Sequence, residues 1–408
     1  MKNTYIMAIM FFVLATMLAC SNTGDGGDTV EDGELTNEVI NISKEGVDAR
    51  HPYFSRSAAE GDIVLNWSEK VDSVNYILAY TIFDGEKFGP VKTIAETFGL
   101  QVHGESMGKV SINQKGVITA IFRISNPTPE NRFQGRSYFT QSFDDGESWT
   151  EKKNLVADTS SFSQSFFDIE VLKDGSTGVV WLDSRKKEGD EEGAKLYFGH
   201  FSRDGEYIGE KLLSTSTCQC CRTDIYSDPN GVVHIAFRKI FEGSVRDMAY
   251  LKSEDFAETF DPITRVSNDN WIIDGCPHTG PSQVWNKKNL GMVWFTMGGG
   301  DGVYFASKNE EAELFDTRIL IDKKAHHPQI SASKEGEFVA VYEKKENSVN
   351  KVFMEFLNQQ DTIDRKVISR NDANSQYPVI AILGETVMVA WMEIQDQTST
   401  IVFRGGLK

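Results

Sequence analysis

Short β-rich runs that close on an aromatic residue recur along this chain at a nearly constant interval, and that period constrains the fold more than any other feature. The runs occupy 63–67, 118–122, 178–181, 233–237, 291–294, 339–342 and 388–391 and end on Trp67, Phe122, Trp181, Phe237, Trp294, Tyr342 and Trp391. The gaps between these aromatics are 55, 59, 56, 57, 48 and 49 residues. A period near fifty marks a repeat architecture rather than an irregular array of strands. Upstream of each run lies a second one, at 52–54, 167–171, 328–330 and 378–381 for example, joined to it by turn pairs such as Asp174-Gly175 and Asn230-Gly231. A third run follows at 136–141, 196–201 and 303–306, and then a fourth. Four short antiparallel strands per repeat make one propeller blade. The last copy stops after its third strand, while 37–43 (Asn-Glu-Val-Ile-Asn-Ile-Ser) is an orphan strand at the front. Pairing the two closes the ring. The expectation is an all-β propeller over 37–408, with seven blades, or six if the weak first copy is not one, closed by the N-terminal strand.

The first residues belong to a different class. Lys2, the apolar run 6–14 and the small residues leading to Cys20 read as an export signal over 1–19, too short in its apolar part to remain as a membrane span. This end resembles a bacterial lipoprotein lipobox, which implies cleavage before Cys20, lipid on its thiol and a membrane partner through that lipid. Residues 20–36 are mostly Gly, Asp, Glu, Asn and Thr and read as a flexible acidic tether, loosely similar to the surface-export tethers of Bacteroidetes lipoproteins. The expected location is the cell envelope, as an outer-membrane lipoprotein facing the periplasm or the surface. The net charge of −18 argues against nucleic acid as a partner.

Only five cysteines occur, and four fall in two blocks: Cys218-Gln219-Cys220-Cys221 and Cys276-Pro277-His278. An exported chain meets an oxidising compartment, so disulfides come first, for instance one within 218–221 and one reaching Cys276. A copper or zinc site is the second reading, because thiolate and imidazole are their ligands. Free reactive thiols are the third. On a strand, Cys220 and Cys221 would point to opposite faces and could not pair with each other. If the blades follow one another as read, Cys276 lies beside the 218–221 block across one blade boundary.

In a propeller the start of each first strand and the end of each second strand share one mouth. First-strand starts carry His51, His103, Gln164, Cys221, His278, His326 with His327, and Gln376. Second-strand ends carry Glu69, Arg123, Asp183 with Arg185, Arg238, Glu343 and Glu393. Histidines there suit a metal, and Cys218, Cys220, Cys221, Cys276, His278, His51, His103, His326 and His327 form the metal-or-disulfide set. Arginines with carboxylates suit an acidic sugar, since a guanidinium grips a carboxylate through two hydrogen bonds. Arg123, Arg185, Arg222, Arg238 and Glu69 are the candidate substrate contacts, and Asp183, Glu343 and Glu393 the candidate catalytic carboxylates.

The turn Ser142-Phe143-Asp144-Asp145-Gly146-Glu147-Ser148-Trp149 matches Ser-x-Asp-x-Gly-x-x-Trp, and through Ser142, Asp144, Gly146 and Trp149 the chain resembles the Asp-box (BNR repeat) sialidase superfamily. Weaker forms stand at 83–88, 202–207 and 253–256. The resemblance implies the sialidase propeller, with Asp-boxes on the face opposite the active site, and, if an enzyme, a glycoside hydrolase. That family grips a carboxylate with three arginines and uses a tyrosine nucleophile with a glutamate partner and an aspartate acid. Its Arg-Ile-Pro signature is missing here, where His51-Pro52-Tyr53-Phe54-Ser55-Arg56 stands instead. With the Cys-x-Cys-Cys block the chain looks like a lipoprotein subgroup of that superfamily. Two functions follow as expectations: binding or processing of an acidic glycan at the propeller mouth, or a non-catalytic surface scaffold for a partner protein.

Overall fold

A computed structural model of the chain describes residues 37–56, 62–158, 163–185, 191–275, 277–358 and 362–407. The signal, Cys20, the acidic tether and Cys276 lie outside the described residues. The described chain is all-β apart from two single-turn 3₁₀ segments, and its strands form six antiparallel sheets. The first sheet runs Ala49–Arg56, Ile63–Lys70, Tyr76–Phe83 and Lys92–Ile94, and the second Lys109–Ile112, Ile118–Ser125, Gly135–Ser142 and Lys153–Asn154. The third holds eight strands in two halves. Gln164–Val171, Thr177–Asp183, Ala194–Phe201 and Tyr207–Thr217 make one half, and Asp224–Ser227, Val233–Phe241, Val245–Ser253 and Thr264–Arg265 the other. Only the pairing of Thr217 with Lys239 joins them. Ser282–Trp285 to Ile319–Lys323 and Ala325–Ala332 to Thr362–Val367 make the next two sheets. In the last, Asn374–Leu383, Thr386–Gln395 and Thr398–Leu407 take Ile40–Asn41 as fourth strand, with Ile40 opposite Phe403.

The second strand of each repeat is buried on both faces because sheets cover it from both sides, which explains its nearly unbroken apolar sequence. Trp67, Trp181, Trp294 and Trp391 are fully buried. Each contributes about 4–6 kcal/mol of apolar transfer on area grounds. Apolar clusters join each sheet to the next: Val64, Leu78 and Tyr80 with Val110 and Ala120, and Ile121 and Phe139 with Val179 and Trp181. One cluster joins first to last, Leu65, Trp67 and Phe83 meeting Met388, Ala390 and Phe403.

The Asp-box makes the turn its sequence expects. Ser142 Oγ donates to Asp144 Oδ1 at 2.8 Å, the Ser148 N–H donates to the same oxygen at 2.9 Å, and Gly146 takes φ +83°. The Trp149 ring meets Tyr80 of the preceding sheet edge-on at 6.3 Å. Ser253, Asp255 and Thr259 repeat the network, with Ala257 at φ +68° where Gly146 stands and Phe260 in place of the tryptophan. Ser142 lies opposite Ile118, at the other end of its sheet from Arg123.

Ladder register fixes which first-strand residues are equivalent. Opposite the residue that precedes each aromatic stand Tyr53, Lys109, Asp168, Asp224, Ser282, Gln329 and Val379. Four of these strands carry the same bulge just before that point, where two residues oppose one. In each the bulged residue is left-handed: His51 at φ +55°, Phe166 at +51°, His327 at +47° and Tyr377 at +53°.

Candidate functional site

Left-handed backbone is strained for a residue with a side chain, and it persists where surrounding structure enforces it. Proline follows His51, His327 and Tyr377, holding the next φ where a strand can resume. The bulge turns these side chains toward one place. Counted back two residues from the equivalent positions above, they belong to the series His51, Met107, Phe166, Arg222, Gly280, His327 and Tyr377. The Tyr377 ring lies 4.7 Å from His51 and 4.4 Å from His327. His103 lies 5.6 Å from Phe166 and 5.5 Å from His278.

The loop 103–106 crosses this cluster. Gly104 sits so close to Tyr377 that a Cβ there would fall 2.2 Å from its ring, so only glycine fits. Glu105, buried, accepts from Arg222 Nη1 at 2.9 Å and from the Gly280 N–H at 2.9 Å, while its own N–H donates to His103 Nδ1 at 3.1 Å. Ser106 Oγ accepts from the Phe166 N–H at 3.0 Å. The opposite wall is Glu343, which meets His327 Nδ1 at 3.0 Å and accepts from the Tyr377 N–H at 2.5 Å.

These contacts divide the titratable groups by charge. Burial, then the neighbouring charges of His103 and Arg50, pushes His51 down to about 3. Burial and then His278 lower His103 as well, so both rings are neutral at pH 7. For His327 burial acts downward, but the charge and hydrogen bond of Glu343 outweigh it and the ring is raised. Tyr377 is pushed up to about 12 by burial and then by Glu343 and Glu105, so the phenol keeps its proton. His278 is exposed, and His103, His327 and Tyr377 are half-buried. The cluster therefore presents neutral imidazole, a phenol and one imidazole biased toward its cation.

One step further into the sheets the equivalent positions carry charge. Asp168 Oδ1 accepts from Lys109 Nζ at 2.6 Å and from the Tyr53 hydroxyl at 2.7 Å, and its Oδ2 accepts from the Ile225 N–H at 2.9 Å. Burial, then Asp168, raises the Asp224 carboxyl strongly. These residues line a cavity of about 170 Å³ with Glu170, Gln283 and Gln329.

Several residues expected at the mouth stand elsewhere. The bulges shift the register, so Gln164, His326 and Gln376 are not equivalent to His51, Cys221 lies in the turn before its strand, and His103 and His278 lie in loops leading to the cluster. The arginines expected to grip a ligand carboxylate are occupied. Arg123 donates to the carbonyls of Gln164 and Phe133, Arg238 to those of Arg246, Thr279 and Phe295, and Arg222 to Glu105 and the Pro281 and Pro328 carbonyls. Arg185 pairs with Asp183 at 3.0 Å and with Glu210 at 2.7 Å. Buried guanidiniums need partners, and carbonyls of adjoining strands are the nearest. Of the three candidate catalytic carboxylates, Glu343 belongs to the cluster. Asp183 is buried against Arg185, and Glu393 accepts from the Trp391 indole at 3.2 Å and from Arg370 at 2.7 Å. Glu69 accepts likewise from Trp67 at 3.4 Å. Tyr377, Glu105, Lys109 and Asp168 were not singled out from sequence. The proline after His51, His327 and Tyr377 was the available signal.

Cys218, Cys220 and Cys221 are free thiols in the turn between Thr217 and Asp224, so the disulfide expected within 218–221 is not formed. Cys218 Sγ lies 3.7 Å from that of Cys220 and 3.8 Å from that of Cys221. Among the described residues this trio is the one group able to hold a metal by proximity, and no histidine joins it. The expected neighbourhood of Cys276 lies outside the described residues.

No protein-family profile matches the chain, and no curated protein matches it in sequence. Solved structures do resemble it. A Dyadobacter fermentans protein of unknown function is 14% identical with a TM-score of 0.52, covering 92% of this chain and 97% of the other. The Hadza microbial sialidase Hz136 is 10% identical with a TM-score of 0.50 and covers 92% and 96%. The polysaccharide lyase Uly1 is 12% identical with a TM-score of 0.55 and covers 92% and 98%. At such identities the likeness concerns the fold, which is all-β and sialidase-like.

Proposed function

We propose that this chain is a seven-bladed propeller of the cell envelope that acts on an acidic polysaccharide at the His51–His327–Tyr377 cluster, by elimination rather than hydrolysis. Counting the halves of the eight-stranded sheet as two blades gives seven, and the shared apolar cluster between first and last sheets supports a closed ring. One observation carries the reaction: neutral imidazole and a protonated phenol face each other, while the carboxylates beside them are already engaged. Hydrolysis with two carboxyl groups needs them free on either side of the sugar. Elimination needs a base for the proton α to a uronate carboxylate, a cation to stabilise the resulting negative charge, and an acid for the departing glycosidic oxygen. His51 is the base, His327 the cation and Tyr377 the acid. The C–H electrons form the new C4=C5 double bond, the C4–O bond breaks, and the phenol proton passes to that oxygen. Two neighbours in fold, a polysaccharide lyase and a sialidase, suit the reading of a glycan substrate.

The test is incubation of the purified chain with uronate polysaccharides, following the ultraviolet absorbance of the unsaturated product. Tyr377→Phe is expected to lower the rate about 10²–10⁴-fold. Release of sialic acid from sialosides without any unsaturated product would replace elimination by hydrolysis, and absence of binding to any acidic glycan would remove the glycan reading. Membrane attachment through lipid on Cys20 belongs to the same proposal and rests on Leu18-Ala19-Cys20. Fatty-acid labelling that survives Cys20→Ala would refute it.

A further inference from the structure

We propose that Cys218, Cys220 and Cys221 together bind one thiophilic d¹⁰ metal ion, zinc or copper(I), at the joint between the two halves of the eight-stranded sheet. The inference is independent of the polysaccharide reading. Sulfur atoms set about 2.3 Å from a tetrahedral ion stand about 3.8 Å apart, whereas a disulfide holds them at about 2.05 Å. The two separations from Cys218 are 3.7 and 3.8 Å, and the three sulfurs lie within 4.8 Å of one another.

The local chain explains how adjacent cysteines can share a point. The strand Tyr207–Thr217 ends one residue earlier and Asp224–Ser227 begins three residues later, so the block lies in a turn where strand alternation does not apply. The Cys218 N–H is held by the Arg238 carbonyl at 2.8 Å, which anchors the first ligand. All three side chains are buried, at 0%, 4% and 1% exposure, among Phe166, Leu182, Leu196 and Ile240. Each buried sulfur has another of the trio as its polar neighbour, a convergence that one shared ion would also satisfy.

Charge points the same way. Three thiolates around a dipositive ion leave one negative charge, and around a monopositive ion two. Arg246 Nη1 donates to Cys218 Sγ at 3.4 Å and supplies the compensating cation. Binding releases one proton from each thiol to solvent as its sulfur ligates the metal. The next residue in sequence is Arg222, which holds Glu105 across the histidine cluster. The ion would thus fix the turn that carries Arg222.

The experiment uses the full chain purified without a histidine tag. Elemental analysis is expected to find about one zinc or copper per chain, and its identity decides between the two ions. After removal of the metal under reducing conditions, cobalt(II) should restore a sulfur-to-cobalt charge-transfer band, and the three thiols should alkylate only in the metal-free protein. Cys220→Ser is expected to lose the ion at least tenfold more readily. Should that variant fail to fold, the cobalt spectrum of the unaltered chain still decides. A metal-free preparation that gives no charge-transfer band with cobalt overturns the proposal, as does an intact mass lower by two hydrogens that shows two of these cysteines joined.

Discussion

Lys109→Met tests the account of the charged layer beneath the histidine cluster. Lys109 and Asp168 are 1% and 3% exposed and 2.6 Å apart, and the ammonium also lies 4.3 Å from the centre of the Tyr53 ring. Burial lowers the Lys109 pKa and Asp168 partly restores it. Removing the cation leaves the Asp168 carboxylate buried with only the Tyr53 hydroxyl and the Ile225 N–H as donors. Orphaning one member of a buried pair costs about 3–5 kcal/mol. With an unfolding entropy near 2.1 cal/mol/K per residue over roughly 370 residues, that loss lowers Tm by about 4–6 °C. The assay is calorimetry or fluorescence-monitored melting at pH 7.5. Adding Asp168→Asn removes the stranded charge and should recover roughly half of the loss. A single variant within about 1 °C of the unaltered chain, or a double variant less stable than the single, would refute the reasoning.

Other consequences can be measured beside it. His51 is depressed to about 3 from an ordinary 6.5, so the unfolded chain binds its proton first and this contribution to stability is lost as pH falls from 6.5 toward 3. His51→Asn should flatten the slope of stability against pH across that window by up to about one proton, read from denaturant titrations. The His327–Glu343 contribution has the opposite sign: it is complete below 6.5 and fades as pH rises through the elevated pKa of the folded ring. Glu343→Gln should remove that fade and move the basic limb of any pH–rate profile to lower pH. Gly104→Ala drives a methyl into the Tyr377 ring and should cost about 1–3 kcal/mol while lowering turnover as much as Tyr377→Phe does. Tyr377→Phe itself should leave Tm nearly unchanged, which separates its chemistry from packing.

The strands, their order and the aromatic at the end of each second strand were legible in the sequence because those residues obey local rules. A strand covered on both faces must be apolar throughout, and a tight turn needs the Ser, Asp and Gly of 142–146. The candidate site was legible only in part. Histidines crowd the segments that open the first strands, and Glu343, near the end of a second strand, meets His327 at 3.0 Å. Three other matters depended on tertiary structure. The extra residue at 51–52, 166–167, 327–328 and 377–378 changes which side chains are equivalent, and a bulge is defined by the partner strand. Arg123, Arg222 and Arg238 are consumed by carbonyls of neighbouring strands, which no local pattern announces. The 218–221 block is a turn and not the start of a strand, so its sulfurs converge where an extended chain would have sent them apart. Local propensity wrote the repeats into the sequence. Contacts between chain segments about fifty residues apart decided which side chains meet.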